Sequence, residues 1–433
     1  MSSIPQKIVV KKVHIPVFYA ESTYLGIMYA QASKNISVKS PIEKTLLTTR
    51  VLYFLYFAAF GIFITYIDIY FRSLGFSGVQ IGWINSILAL VAIFAGPIWG
   101  FLSDRHGSIR PYLAIAALGT AALAFGISQT NSFVIILVVI TFFGFFRQPL
   151  LPLLDSLTIK SLKQRPELYG RQRVWGSVGF ILTAWGFGLL LSRVGLIWLF
   201  AGFIGAMMLM AIGIYWLPAT RTSLQQPVWS SLGGILKNWT WWLFILSITV
   251  LGIGNVAMQH FLGIYIQELG GNEALIGTVA ALATLAELPI LFWGAPLIAR
   301  FGPWRLLLFA YIISALRWFA YGIMPSAEWA IPIALLNSVT FGVYWVAGVA
   351  YVNQLAPKEL KATAQGLFYA SFGISGVLGS PINGYIFDTL GASWLFLISS
   401  VLGLGAAGLL WLGRPATALT TVNKEVSYAN YKK

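Results

Sequence analysis

Six ionisable side chains lie inside stretches that are otherwise apolar, and their types limit what they can do. Glu287, in Thr284-Leu285-Ala286-Glu287-Leu288-Pro289, offers a carboxylate able to take up and release a proton. Arg317, between Leu316 and Trp318, offers a permanent cation. Counted from the helix ends near 298 and 304, the two lie about 16 and about 20 Å deep at about 1.5 Å per residue. They would form an ion pair if their faces meet. Movement of Arg317 between two states would then switch the protonation of Glu287; the bland alternative is a static pair that packs the second half.

Arg147, flanked by Phe146 and Gln148, is about 17 Å from the end of its helix. Its forked guanidinium suits a substrate carboxylate or sugar hydroxyls, with Gln148 as a companion donor. It would otherwise pair with Asp68 or with carbonyls freed by Pro149. Asp155, eight residues on, is placed to pair with Arg171 or Arg173 at a gate, and Asp68 sits toward the outer end of its span. His260 belongs to the residue type whose charge changes near neutral pH, though a lone histidine is more often a satisfied hydrogen-bonder. Asn337, Tyr344 and Trp345 are the polar and aromatic residues best placed to line a cavity, with Tyr66, Asn85 and Gln259 behind them. The candidate proton-coupling residues are thus Glu287, Arg317 and His260, and the candidate cavity residues are Arg147, Gln148, Asn337, Tyr344 and Trp345.

The elements that must position these residues follow from composition. Hydrophobic residues make up 58% and charged residues 9% of the 433, against about 25% charged in a soluble domain. So little charge requires lipid as solvent. Apolar runs fall near 48–72, 78–102, 112–128, 132–158, 172–194, 196–217, 238–266, 274–298, 304–323, 329–354, 363–387 and 391–413. They are continuous rather than alternating, so they read as helices, the form that satisfies its own backbone in hydrocarbon. Pro97, Pro149, Pro152, Pro289 and Pro381 should bend them. The expected fold is all-α, with twelve transmembrane helices in two six-helix pseudo-symmetric halves.

Of the 28 Lys and Arg residues, only Arg72 and Arg193 fall on one side, Arg147 and Arg317 lie within spans, and the rest fall on the other side. By the positive-inside rule both termini are cytoplasmic, and the net charge of +15 reflects orientation rather than nucleic-acid binding. The absence of cysteine removes disulfides and thiolate metal sites. No cofactor or metal is expected. At a constant offset of 195 residues, Ile69-Tyr70 matches Ile264-Tyr265, Leu74-Gly75 matches Leu269-Gly270, and Arg105, Gly107 and Arg110 match Arg300, Gly302 and Arg305. The division expected is a tail (1–46), a first half (47–217), a linker (218–237), a second half (238–413) and a second tail (414–433). Parallel repeats of this kind place a substrate site at midplane between the halves.

The loop Gly100 to Arg110 carries Asp104, Arg105 and Gly107 and resembles the signature loop of the major facilitator superfamily, G-x-x-x-D-[RK]-x-G-x-[RK]-[RK]. Here Gly100 would let helices approach closely and Gly107 would make a tight turn. Gly100, Asp104, Arg105, Gly107 and Arg110, with Asp155, Arg171 and Arg173, are the expected cytoplasmic gate. The run from Tyr169 through Trp175 to Phe180 resembles the phenylpropionate-permease branch, grouped with sugar and nucleoside proton symporters. Leu316-Arg317-Trp318, Thr340 to Trp345, and Thr363 to Phe368 resemble it too. Members often carry a His early in span 10, where this chain has Asn337, and the span lacks the interior carboxylate of lactose permease. That permease has an acid and a base in spans 8 and 9, comparable to Glu287 and Arg317.

The resemblance implies a monomeric, multi-pass protein of the plasma (inner) membrane that moves a small polar or anionic organic solute together with H+ by alternating access. The alternatives are a proton-coupled efflux antiporter for amphipathic compounds and, from another class, a membrane-embedded transferase. No Walker-type loop is present to supply ATP energy.

Overall fold

The computed structural model describes residues 41–106, 108–162, 168–217, 238–357 and 360–414. By internal contact the chain divides into Met1–Lys44 and Thr45–Lys433, and the second unit holds the helical bundle. Gly107, the 218–237 linker and all but Arg414 of the 414–433 tail lie outside the described residues, as do residues 1–40; the first helix runs Pro41–Ser73, of which Thr45–Ser73 is the candidate span labelled α1.

Twelve long helices are described: α1 (Thr45–Ser73), α2 (Gly78–Arg105), α3 (Arg110–Ser128), α4 (Phe133–Leu162), α5 (Tyr169–Val194), α6 (Trp198–Tyr215), α7 (Trp239–Glu268), α8 (Glu273–Phe301), α9 (Pro303–Gly322), α10 (Ala327–Leu355), α11 (Lys361–Leu390) and α12 (Ala392–Leu412). Ten of them are long and apolar enough to cross a membrane, by length and composition alone. The two that fall short are α9 and α11. α9 carries Arg305 and Arg317, and α11 carries Lys361, Gln365, Asn383 and Asp388. Part of that polarity is spent inside the bundle: Asn383 Nδ2 donates to the Ile253 carbonyl at 2.8 Å and Ser375 Oγ to that of Thr249 at 3.0 Å. Helix α9 turns back from the end of α8 at 109°.

The repeat survives as backbone geometry. Gly75 and Gly270, 195 residues apart, end α1 and α7 with φ of 86° and 85°, a region costly for residues with a Cβ. Two residues later Ser77 and Asn272, again at that offset, cap the next helix: Ser77 Oγ accepts from Gln80 N and Asn272 Oδ1 from Leu275 N. Each cap satisfies a backbone N–H that has no partner within its helix.

Two helices are irregular. α4 is interrupted between Arg147 and Leu150, where Pro149 has no N–H to continue the ladder. α10 contains a π-helical turn, Ser338–Gly342, of a kind often found at functional sites. Pro97, Pro289 and Pro381 lie within helices assigned as continuous, and Pro152 sits in the first turn of the second α4 segment. Aromatic cores fill each half: Phe63 stacks on Phe143 at 4.7 Å, and Phe244 meets the edge of Tyr351 at 4.9 Å.

Candidate substrate cavity and coupling network

The two halves meet along α2 with α11 and α5 with α8, and the contact is uneven along their length. Near the Gly75 and Gly270 turns the backbones almost touch. A Cβ on Gly82 would lie 2.8 Å from Pro381 Cα, and one on Gly188 would lie 2.7 Å from the Glu273 carbonyl oxygen. Farther along α2 the neighbours are side chains instead of backbone: a Cβ on Gly376 would lie 2.8 Å from Ala89 Cβ and one on Gly373 would lie 3.1 Å from Ile93 Cγ1. Beyond that, Gly96 and Gly100 of α2, Gly366 of α11 and Gly170 of α5 would meet nothing within 4 Å. The halves are therefore closed at the turn end and apart at the end carrying the 100–110 loop. The expected close approach at Gly100 is not made in this conformation, because α2 and α11 have already diverged there.

Polar contacts reinforce the closed end. Asp388 of α11 accepts from the first two N–H groups of α2, Gly78 at 2.6 Å and Val79 at 2.8 Å, a cap supplied by the opposite half. Ser86 Oγ donates to the Val377 carbonyl at 2.7 Å, and Arg72 pairs with Glu268 at 3.4 Å.

Behind this closure lies a cavity of about 220 Å³, whose polar lining is Asp68, Asn85, Arg147, Asn255, Gln259 and His260 together with Ser375 and Ser380. Asp68 is buried, 5% exposed, not partly solvated as its place near the end of α1 suggested. The packing of α2 and α7 around it is the reason: Asn85 Nδ2 donates to its Oδ1 at 2.7 Å, and His260 Nδ1 lies 2.8 Å from its Oδ2. Asp68 is therefore not the partner of Arg147. Among the described residues the Arg147 guanidinium makes no hydrogen bond or ion pair; its Nε is buried and unpartnered, and its Cζ lies 5.6 Å from the Phe60 ring centroid. Gln148 does not line this cavity.

A smaller space of about 20 Å³, room for one water, shares Gly252, Asn255 and Phe372 with the first and is lined by Arg317, Thr340 and Tyr344. Arg317 is 2% exposed. It forms no direct ion pair with Glu287, contrary to the pairing expected from their depths. Asn337 stands between them: Arg317 Nη1 donates to its Oδ1, and its Nδ2 donates to Glu287 Oε1. Arg317 also donates to Thr340 Oγ1 at 3.0 Å and Tyr321 OH at 3.4 Å, while its Nε is buried without a partner. Asn337 therefore belongs to this network rather than to the cavity lining. Trp345 is likewise off the lining, packed on Phe341, Phe368, Tyr369 and Phe372, whereas Tyr344 is buried beside Arg317 with an unpartnered hydroxyl.

At the open end, Arg173 lies 3.9 Å from Asp155, which also accepts from Tyr53 OH at 2.5 Å. Arg171 is exposed and makes no ion pair among the described residues; its neighbour Gln172 instead accepts from Arg50 Nε at 3.0 Å. Arg105 is exposed, Arg110 lies 4.6 Å from the Tyr215 ring centroid, and Asp104 forms no ion pair among the described residues. The Asp68–Asn85–His260 cluster is the main feature that sequence reasoning missed. Midspan amides at Asn85, Asn255 and Gln259 were its available signal, but nothing in a linear pattern brings α1 to α7.

Comparison with known proteins agrees with this architecture. Residues 46–398 match the MFS_1 like family. The maltose permease of Geobacillus stearothermophilus is 30% identical over 363 residues, covering 81% of this chain and 91% of that protein. The Escherichia coli (strain K12) protein named "Probable 3-phenylpropionic acid transporter" is 27% identical over 357 residues, covering 81% and 93%. The crystal structure of the nucleoside transporter NupG superposes with a TM-score of 0.77 at 19% identity, covering 85% of this chain and 98% of that one. With this match, the helical halves and the cavity between them, the chain belongs to the MFS_1 like family and has the major facilitator fold: it is a multi-pass membrane transporter of small solutes, not an enzyme.

Proposed function

We propose that the protein is a monomeric secondary transporter of the plasma (inner) membrane that couples inward movement of a small polar or anionic organic solute to protons. The observation that carries the reading is Arg147, whose guanidinium makes no hydrogen bond or ion pair among the described residues and lines the cavity between the halves. The residue is half-buried with its Nε enclosed, and a solute carboxylate, or a set of hydroxyls, would satisfy it in the forked geometry arginine favours. The relatives support small polar solutes: one is named for maltose and another for 3-phenylpropionic acid. An amphipathic efflux substrate would call for a roomy apolar cavity, and this one is modest in size and carries eight polar lining residues.

With both termini in the cytoplasm, as the distribution of Lys and Arg implies, the 100–110 loop is cytoplasmic and this conformation faces inward. Rocking of the halves about the cavity would open the turn end instead. Glu287 is the coupling carboxylate of this scheme, linked through Asn337 to Arg317. A change in the distance between Arg317 and that bridge would gate its proton.

The test is uptake into proteoliposomes with and without an inward proton gradient, using maltose, 3-phenylpropionate and a nucleoside as probes. Accumulation of at least one probe should require the gradient. Glu287→Gln should abolish accumulation while leaving solute exchange across the membrane. Gradient-driven accumulation by a well-expressed Glu287→Gln protein would overturn the assignment.

A further inference from the structure

We infer that the corner where α9 begins and α12 ends is a binding site for the phosphate headgroup of an anionic phospholipid, held by Arg300, Arg305 and Arg414. It lies on the rim of the second half and uses neither the solute cavity nor the Glu287 network.

The repeat supplies the first observation. At the offset of 195 residues the loop from Gly100 to Arg110 recurs as Ala295 to Arg305. Arg105 and Arg110 return as Arg300 and Arg305, but Ala299 stands where the first copy has Asp104. Trp216, which caps the end of α6, returns at the same offset as Trp411 in the last turn of α12. The second copy keeps the cations and the indole and loses the acid.

The fold brings these pieces to one place. α9 turns back from α8 at 109° through Gly302, whose φ is 77°, and this bend puts Arg300 and Arg305 on either side of it. Trp304 Nε1 donates to the Leu410 carbonyl at 3.2 Å and fastens the start of α9 to the last turn of α12. The residues next in sequence, Arg305 and Trp411, are therefore both at the junction, and both are exposed. The Arg414 guanidinium lies 4.9 Å from the Trp411 ring centroid, and that of Arg300 lies 5.2 Å from the centroid of Phe301.

None of the three arginines has a side-chain hydrogen bond or ion pair among the described residues. Nor does a described carboxylate of the second half lie at this end: Glu287 is midway along α8, and Glu268, Glu273, Glu328 and Asp388 are at the turn end. Guanidinium forks match the oxygens of a phosphate, and exposed tryptophan favours the headgroup level. Clustered cations beside a membrane helix select anionic lipids. Topology by itself needs only cations on this side; it calls for neither the rings beside them nor the loss of the acid. The first half has a similar corner, with Arg110 4.6 Å from the Tyr215 ring centroid, but Asp104 shares that loop and would repel a phosphate. The second corner is therefore the preferred one.

The probes are phosphatidylglycerol and phosphatidylcholine, added to the purified full chain in detergent. Retained lipid would be read by native mass spectrometry, and thermal stability in parallel. The parent should favour phosphatidylglycerol about tenfold or more and be stabilised by it, as binding to the folded state requires. Arg305→Gln combined with Arg414→Gln should cut retention about 25-fold, about fivefold for each cation removed. Arg305→Lys with Arg414→Lys should keep much of it, since the charge stays and only the fork is lost. Arg105→Gln with Arg110→Gln, the matching change in the first half, should leave retention as in the parent. Ala299→Asp puts the acid of the first copy back at an exposed position and should weaken retention without removing any side-chain contact, which keeps the test valid if the glutamine variant fails to fold. Equal retention of the two lipids by the parent, or undiminished retention in Ala299→Asp or in the glutamine variant, would overturn the site. Equal stabilisation by inorganic phosphate would assign the corner to a free anion and overturn the lipid reading.

Discussion

Arg317 reaches Asn337 rather than Glu287: its Nη1 donates to the carboxamide oxygen, and the same carboxamide donates onward to the acid. An amide can relay between a cation and a carboxylate because it has a donor and an acceptor on one planar group. It can also release either without carrying a charge of its own. The π-helical turn that begins at Ser338 sets this side chain at the start of an irregular segment.

Replacement of that bridge is the most direct check on the network. Asn337→Ala should destabilise the protein by about 1–3 kcal/mol, the cost of leaving buried polar groups unsatisfied, measured by thermal unfolding in detergent. Gradient-driven uptake should fall with it. Asn337→Gln, which keeps both functions on a longer arm, should retain more stability than Asn337→Ala.

Arg147 is expected to act on solute affinity more than on folding, since it has no hydrogen-bonding protein partner to lose among the described residues. A hydrogen bond to a charged group contributes about 1.5–3 kcal/mol, so Arg147→Ala should weaken binding of an accepted solute about 10- to 100-fold. Arg147→Lys should restore only part of this, because the fork is lost. Calorimetric titration with each solute that the parent protein binds reads the difference directly.

The glycines along α2 and α11 should divide by position. Gly82→Leu pushes a side chain into Pro381 and Ser380 and should prevent closure of the turn end, abolishing uptake and lengthening a distance measured across that end. Gly366→Ala meets open space in this conformation and should leave closure of the turn end unaffected. Equal effects of the two on that distance would contradict the uneven contact between the halves.

Asp388 caps α2 from the other half. Removing a helix cap costs about 1 kcal/mol, so Asp388→Ala should shift the balance toward an open turn end by about fivefold, given that about 1.4 kcal/mol is tenfold. Arg72→Gln, which breaks an exposed pair, should shift the same distance measurement much less.

Much of the fold was legible because bilayer solvation imposes a one-dimensional rule: twenty or so apolar residues must appear in sequence for a helix to cross. The apolar signal is weakest at α9 and α11, which the sequence still placed at 304–323 and 363–387, and neighbouring helices receive several of their polar side chains, among them Asn383 and Ser375. Glu287, Arg317 and Arg147 stood out as charges in apolar runs, and their rarity there made them visible without any structure. Asn337, by contrast, was placed in the cavity, since a sequence shows that a midspan amide needs partners but not which ones.

The sequence by itself determined the helical class, the half-chain repeat and the short list of charges that must be satisfied in the membrane, because each of these depends on local composition and spacing. Only the tertiary structure decided the pairings. Asp68 lies 192 residues from His260, and Glu287 lies 50 from its bridge. Whether such groups meet depends on helix rotation and on which backbones can approach, and along α2 and α11 that is set by contacts such as Gly82 against Pro381, made in three dimensions between segments far apart in the chain.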